Sequence, residues 1–472
     1  MGNRSSSHHE PGLDRGNIGV EEFLLLHNAV QHHLVDPMVT SKKIQPTSAL
    51  QRSLFVKFFG LTFDSAFADD FFEFVAAIDG QPKGSNFVTF KGFVSAVGQL
   101  CTGQLEKRVA AIFLLFSRGA PKVDHAGAER LVSTLMTMYS LLDHLEAEGV
   151  EGEESLSVIK ATQPAMLKHI VKSLFVDDAE VLRVETFQAW VPANGVCFGD
   201  ILTTFFHKKF LETPETEHEM PRDLLRRPQL SAPTHLLMPA DVLALSLVSH
   251  RMQRNWKLMY SSHVDGLSFN RLHFAIGGYE GPLLFVLRSD DGQTFGAYSG
   301  TGVTESEGPQ GNYLTYLFAL RPGFQIFRPR VNCNKNYVFF NTRGHDIAHG
   351  LGFGGDVSSP GPHNRLWINA DLEDCHVGAF GECYEQGKIA ERKENTKSSI
   401  VIAAIEVWGL GGESAGAAQK RFRSDNARMF NDMKTLKEST KVAFAADTFN
   451  QEMFMSKTFH HRDTAAGGSL DK

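Results

Sequence analysis

Cysteine is scarce and poorly placed for cross-linking. There are five in 472 residues (Cys101, Cys197, Cys333, Cys375 and Cys383), odd in number and scattered. That argues against a disulfide framework and sets a reducing compartment as the expectation. Cys375, His376 and Cys383 lie close together, but no second ligand pair follows at zinc spacing, so no metal is expected there. No apolar run approaches the ~20 residues that a bilayer-spanning helix needs. No secretory apolar segment follows Met1 either, and a soluble intracellular chain is expected. An excess of positive charge is also missing. The net charge is −7, the wrong balance for a protein that grips nucleic acid through phosphates.

The length is a prior for about three domains. At 42% hydrophobic and 21% charged residues, the chain is ordinary for a globular protein with real cores. Phenylalanine is heavily used, 37 against 8 tyrosines, which points either to well-packed interiors or to apolar contact surfaces.

Residues 283–412 carry the strongest pattern. Leu283 to Leu287 is a continuous apolar run, as for a strand covered on both faces. Asp290-Asp291-Gly292 is a hairpin signal, because Gly292 accepts the positive φ such a turn requires. Phe295 to Tyr298 makes the return strand. Tyr313 to Leu320, Phe324 to Phe327, Tyr337 to Phe340, Leu366 to Ile368 and Ile400 to Trp408 are further short runs bounded by turn residues. Short strands without long helical patterns between them predict an antiparallel sandwich.

Residues 20–212 read as helices, with apolar stripes at Val20 to His33, Phe67 to Ile78, Phe93 to Leu100, Val109 to Phe116, Leu131 to Leu145, Met166 to Phe175 and Ile201 to Phe210. Acidic Glu146 to Ser157 reads as a loop. Two places have the helix–short strand–helix cadence of an EF-hand: Asp79-Gly80 to Phe90, and Asp177-Asp178 to Phe187. Calcium needs oxygens at alternate loop positions and a carboxylate at the twelfth. The first loop offers Gln81, Lys83, Gly84 and Phe90, the second Ala179, Val181, Leu182 and Gln188. An EF-hand-like scaffold without calcium is expected.

Thr213 to Pro233, with four prolines, is the clearest boundary in the chain. Beyond Gly412, Phe422, Met429, Phe430, Met433, Leu436, Val442 and Phe444 fall near helical spacing among basic residues. That gives an amphipathic helix, either packed on its own domain or reaching a partner through Phe422, Phe430, Met433 and Leu436. At the other end, Met1-Gly2-Asn3-Arg4-Ser5-Ser6 fits N-myristoylation at Gly2. One such chain holds a membrane only marginally, so a second contact is required.

Three patterns suggest chemistry, and each lacks a part that the chemistry needs. Gly412-Glu413-Ser414-Ala415-Gly416 is a literal GxSxG between a strand and a helix, but only Asp447 and His460 or His461 could complete a triad. His345 and His349 are four apart, as metal ligands on a helix would be, yet Gly344 and Gly350 flank them. Gly350, Gly352, Gly354 and Gly355 hint at a phosphate loop, but no Lys-Ser ending follows. Tight turns explain them better. No catalytic residue and no cofactor are expected.

Residues from about 233 to 412 resemble a TLDc domain. The resemblance rests on DGQTFGAY at Asp291 to Tyr298, YLFALRPG at Tyr316 to Gly323, LGFGG at Leu351 to Gly355, RLWINADL at Arg365 to Leu372 and EVWG at Glu406 to Gly409. Upstream, Leu236 to Met252 and Trp256 to Ile276 resemble the opening helices and first strand of that domain, whereas Thr304 to Gln310 and Cys383 to Thr396 match weakly. The family motif falls on Asp291, Gly292, Phe295, Gly296, Gly354, Gly355, Trp367, Glu406, Trp408 and Gly409, in structural or docking roles. The order of parts resembles the MTOR-associated branch of TLDc proteins.

The expected class is therefore α+β: a tail (1–19), a helical EF-hand-like domain (20–212), a linker (213–232), a TLDc sandwich with flanking helices (233–412) and a C-terminal helix and tail (413–472). What the resemblance implies is a non-enzymatic adaptor in the cytoplasm, peripheral on lysosomal and endosomal membranes, with the vacuolar-type proton ATPase and MTOR pathway components as partners. Protection against oxidative stress is the alternative, and a Ser414 hydrolase a third reading.

Overall fold

The computed structural model describes residues 47–60, 65–142, 164–175, 179–210, 224–342, 348–355, 364–391, 399–429 and 435. Gly2, the Val20 to His33 stripe, the Glu146 to Ser157 loop, Asp177, Asp178, His345, Phe430, Met433, Leu436, Asp447, His460 and His461 all lie outside the described residues. The chain divides into two compact units, Met1–Ala415 and Gly416–Lys472. The class is α+β, with helices dominating the first half of the larger unit and strands the second.

In the first half, helices Arg52–Gly60, Ser65–Ile78, Phe90–Cys101, Leu105–Phe116, His125–Leu141, Val184–Asn194 and Ile201–Phe210 join a helix at residues 164–174. Their starts are set locally. The Thr89 hydroxyl accepts from Gly92 N at 3.0 Å and the Asp124 carboxylate from Gly127 N at 2.8 Å, each satisfying an otherwise orphaned first-turn donor. Two short antiparallel ladders tie the loops together in pairs. Strand β1 (Ala49–Gln51) pairs with β2 (Phe87–Thr89), and β3 (Lys122–Val123) with β4 (Leu182–Arg183). The short strand expected before Phe90 is β2, and the one expected before Phe187 is β4, which ends at Arg183 where the next helix begins. The sequence pattern gave no sign of β1 or β3. Much of the phenylalanine excess is interior. Phe55 packs against Phe59, Phe71, Phe72 and Phe93 with ring centroids 4.7–6.0 Å apart.

The second half is a sandwich of two antiparallel sheets. The six-stranded sheet runs β5 (Lys257–Ser261), β15 (Ile402–Gly409), β6 (Leu283–Ser289), β7 (Thr294–Ser299), β8 (Tyr316–Arg321), β9 (Gln325–Phe327). The five-stranded sheet runs β10 (Val338–Asn341), β11 (Gly350–Phe353), β12 (Leu366–Asn369), β13 (Cys375–Val377), β14 (Ser399–Ile400).

Alternation along β6 explains its unbroken apolar run. Phe285 points to the other sheet and meets Phe353 at 5.7 Å. Leu284 and Val286 point the opposite way, into a core they share with the helices. That shared core also takes Tyr298, Tyr316, Phe318, Leu320 and Trp408. Trp190, on the helix before the boundary, reaches Phe324 with centroids 6.4 Å apart. At the sheet edge, Ile326 N donates to Asn194 Oδ1 at 3.1 Å, where a further strand would otherwise add. Residues 224–232 are packed too: Leu225 is buried, and Tyr139 OH donates to Arg226 O at 2.8 Å.

Candidate functional site

The motif residues are spent on building the sandwich. Gly292, with φ +85°, turns the β6–β7 hairpin, and the Asp291 carboxylate closes it by accepting from Ser289 Oγ and, at 2.7 Å, from Gln293 Nε2. Phe295 is fully buried opposite Leu287. Gly296 sits where a Cβ would overlap the Phe285 carbonyl oxygen and lie 2.7 Å from Phe318 Cζ, so only glycine lets β6, β7 and β8 close up. Gly350 and Gly352 are strand residues of β11 beneath the Trp367 ring, and Gly354 (φ +68°) and Gly355 follow that strand. This corrects the expectation that tight turns account for all four: at Gly350 a Cβ would meet the Ile368 carbonyl and the Trp367 ring, and at Gly352 the Asn364 amide and the same ring. Trp367 in turn stacks on Phe339.

Glu406 is the one buried carboxylate of the motif. Its oxygens accept from Thr234 Oγ1 at 2.6 Å, His235 N at 2.7 Å and Trp408 Nε1 at 3.3 Å. Trp408 is fully buried beside Trp256, and Gly409 leaves room for Ala415. Phe422 lies on the helix at residues 413–429.

The groups weighed as chemistry are tied up. Ser414 does follow a strand and open a helix, but its Oγ donates to Gly411 O at 2.9 Å. In the first EF-like loop the Asp79 carboxylate accepts from Thr89 N at 2.8 Å and Gln81 Nε2 at 3.0 Å, so the loop closes on itself, and Phe90 at the twelfth place is core. Gln188, at the twelfth place of the other, donates to Glu106 O. Burial pushes the Cys375 thiol up to about 12 and raises Cys383 further. One cluster escaped the sequence: ligand atoms of Cys197, Asp200 and His250 lie within 4.8 Å of one another. Asp200 is already paired with Arg108 at 2.7 Å, and burial holds the Cys197 thiol well above its usual value, against the thiolate a metal would need.

The TLDc family model matches residues 230–411. Residues 230–411 form a TLDc domain. Oxidation resistance protein 1 of Bos taurus is 30% identical over 186 residues, 39% of this chain and 19% of that protein. The human protein of the same name matches over the same length, also at 30%. MTOR-associated protein MEAK7 of Gallus gallus is 26% identical over 189 residues, 40% of this chain and 38% of that protein. The chain thus covers about a fifth to two-fifths of these relatives' lengths.

One feature of the TLDc domain has no sequence signal at all. A cavity of about 590 Å³ opens beside β7 and β8. Tyr298 and Tyr316 are cross-strand partners with rings stacked at 4.8 Å, and both reach it. Ser249 and Arg251 come from the segment after the first TLDc helix, and Arg328, Arg330 and Lys335 from the stretch beyond β9. These residues are spread over nearly ninety positions, so no motif could bring them together on paper.

Proposed function

We propose that this protein is a non-enzymatic adaptor. In this reading it sits peripherally on lysosomal and endosomal membranes, binds the vacuolar-type proton ATPase and contributes to MTOR-linked nutrient signalling. The observation that carries the reading is how the TLDc motif residues are used. Glu406, Trp408, Gly296 and Trp367 hold the sandwich together and leave no reactive group presented by the motif. A module of that kind acts through its surface, and the MTOR-associated name of one relative gives the signalling context. The TLDc sheet has one face committed to the helices, which leaves its loops, the five-stranded sheet and the tail helix as docking surface. Gly2 acylation would supply the weak membrane anchor, and Phe422, Phe430, Met433 and Leu436 a partner contact. The test is a pull-down of ATPase subunits with the full chain and with a variant lacking residues 419–472. Recovery that depends on the tail is the expected result. Absence of those subunits from both proteomes would overturn the proposal.

A second reading, protection against oxidative stress, is favoured by the oxidation resistance relatives. Raised thiol pKa values at Cys375 and Cys383 make these two poor scavengers. Protection in this reading would not run through them, and a Cys375→Ala/Cys383→Ala variant that still protects cells is the expected result.

A further inference from the structure

The cavity beside Tyr298 and Tyr316 is chemically unfinished. The phenol oxygens of both tyrosines and Ser249 Oγ are buried and have no hydrogen-bond partner; Tyr298 is 1% and Tyr316 2% exposed. Ser249 approaches Tyr316 and Arg251 approaches Tyr298, but neither contact reaches hydrogen-bond distance and angle. Leaving such groups unmet costs free energy that a folded chain ordinarily avoids, so each one calls for a ligand or another explanation.

The mouth has a different character. Arg251, Arg330 and Lys335 are exposed there; among the described residues none is in an ion pair, and Arg251 leans toward the Tyr298 phenol. Arg328 is held further in, donating to Ala193 O at 2.9 Å and Val248 O at 3.2 Å. No aspartate or glutamate lines the cavity among the described residues. His250 is turned toward Asp200, 3.4 Å away, and is not counted with the free cations. Between floor and mouth the wall is apolar, formed by Val196, Leu314 and Pro329, with the exposed Val331 at the rim. The volume lies in the range of small-molecule sites, which run from roughly 300 to 1,000 Å³.

We propose that this cavity binds a phosphorylated small molecule with an organic ring, of nucleotide size. Arg251, Arg330 and Lys335 hold the phosphates at the mouth, and the Tyr298, Tyr316 and Ser249 hydroxyls meet ring heteroatoms on the floor. The order follows from the physics of the site. Charged phosphate stays where water still reaches it, while uncharged donors and acceptors bury against hydroxyls that otherwise go unpaired. A bare polyphosphate would leave the floor unsatisfied, and a neutral nucleoside would leave the three cations unused.

The test is calorimetry on the full chain with ATP, GTP and UTP, each against its nucleoside and against tripolyphosphate. The expected result is saturable one-to-one binding of at least one nucleotide, about tenfold tighter than either of its parts. Arg330→Glu with Lys335→Glu should weaken it by about tenfold or more, and Tyr298→Phe, which removes only an unpaired hydroxyl, by about threefold, with unchanged folding by circular dichroism. Tripolyphosphate binding as tightly as the nucleotides would overturn the proposal, as would nucleotide binding untouched by the charge reversals. No saturation with any nucleotide at about 1 mM would do the same. Phosphatidylcholine vesicles with and without a phosphatidylinositol phosphate form the last arm. Capture by the phosphorylated vesicles alone, without nucleotide binding, would assign the phosphates to a lipid headgroup and overturn the nucleotide proposal.

Discussion

Glu406 and Thr234, 172 positions apart, meet through a 2.6 Å hydrogen bond from the Thr234 hydroxyl to the Glu406 carboxylate. The same carboxylate takes His235 N at 2.7 Å, so the last strand of the sandwich clasps the segment that enters it. Glu406→Ala would strand a backbone donor, a hydroxyl and the Trp408 indole in a buried place. A loss of about 3 kcal/mol is expected in urea unfolding, while Thr234→Val, which removes one donor and keeps the shape, should cost about 1 kcal/mol. Equal losses for the two would show that the clasp does not carry the energy assigned to it.

Gly296 and Gly323 offer a matched pair. An alanine methyl at 296 would run into the Phe285 carbonyl and the Phe318 ring, whereas one at 323 meets nothing within 4 Å. Gly296→Ala is expected to cost about 3 kcal/mol or more, and Gly323→Ala less than about 0.5 kcal/mol, by the same unfolding assay.

Thiol labelling should sort the cysteines by burial. Cys197, Cys375 and Cys383 are buried, with thiols pushed up by desolvation, whereas Cys101 and Cys333 are half-buried. Native protein treated with iodoacetamide at neutral pH should be modified at Cys101 and Cys333 only, by peptide mass spectrometry. Prompt modification of Cys375 would contradict the arrangement around β13.

His169 gives a pH dependence of known sign. Burial, followed by the charge of Arg321, lowers its pKa in the folded state. The unfolded chain therefore binds that proton more readily than the folded one as the pH falls through about 6.5. Stability should drop on acidification from pH 7.5 to below the ordinary histidine value, and a His169→Gln variant should show a shallower fall in its urea midpoint.

The sandwich was legible because its signals are local: an Asp-Gly turn at 291–292, apolar runs of strand length and glycines between them. The EF-hand-like cadence at Asp79 was legible for the same reason. Ladder strands β1 and β3 were not, since two or three residues such as Lys122-Val123 carry no periodicity and are defined only by a partner about forty to sixty residues away. Gly350 and Gly352 were misjudged because their requirement is the Trp367 ring across a strand, a tertiary fact. Nothing in the sequence showed that Leu284 and Val286 face helices and not solvent, although the unbroken run at 283–287 did demand some cover. The cavity stayed hidden because its cations and hydroxyls come from four segments.

The position of β15 has a consequence for how the chain is made. Strand β5, near the start of the sandwich, has a single neighbour in its sheet, and that neighbour is β15, about 150 residues later. As the polypeptide leaves the ribosome, Lys257 to Ser261 has no strand to pair with until Gly409 has emerged. Until then the apolar face carrying Leu284 and Val286 can be sheltered only by the helices already synthesised ahead of it. The first half of this protein would in that way act as an escort built into the chain, holding a half-made sheet out of water until its closing strand arrives.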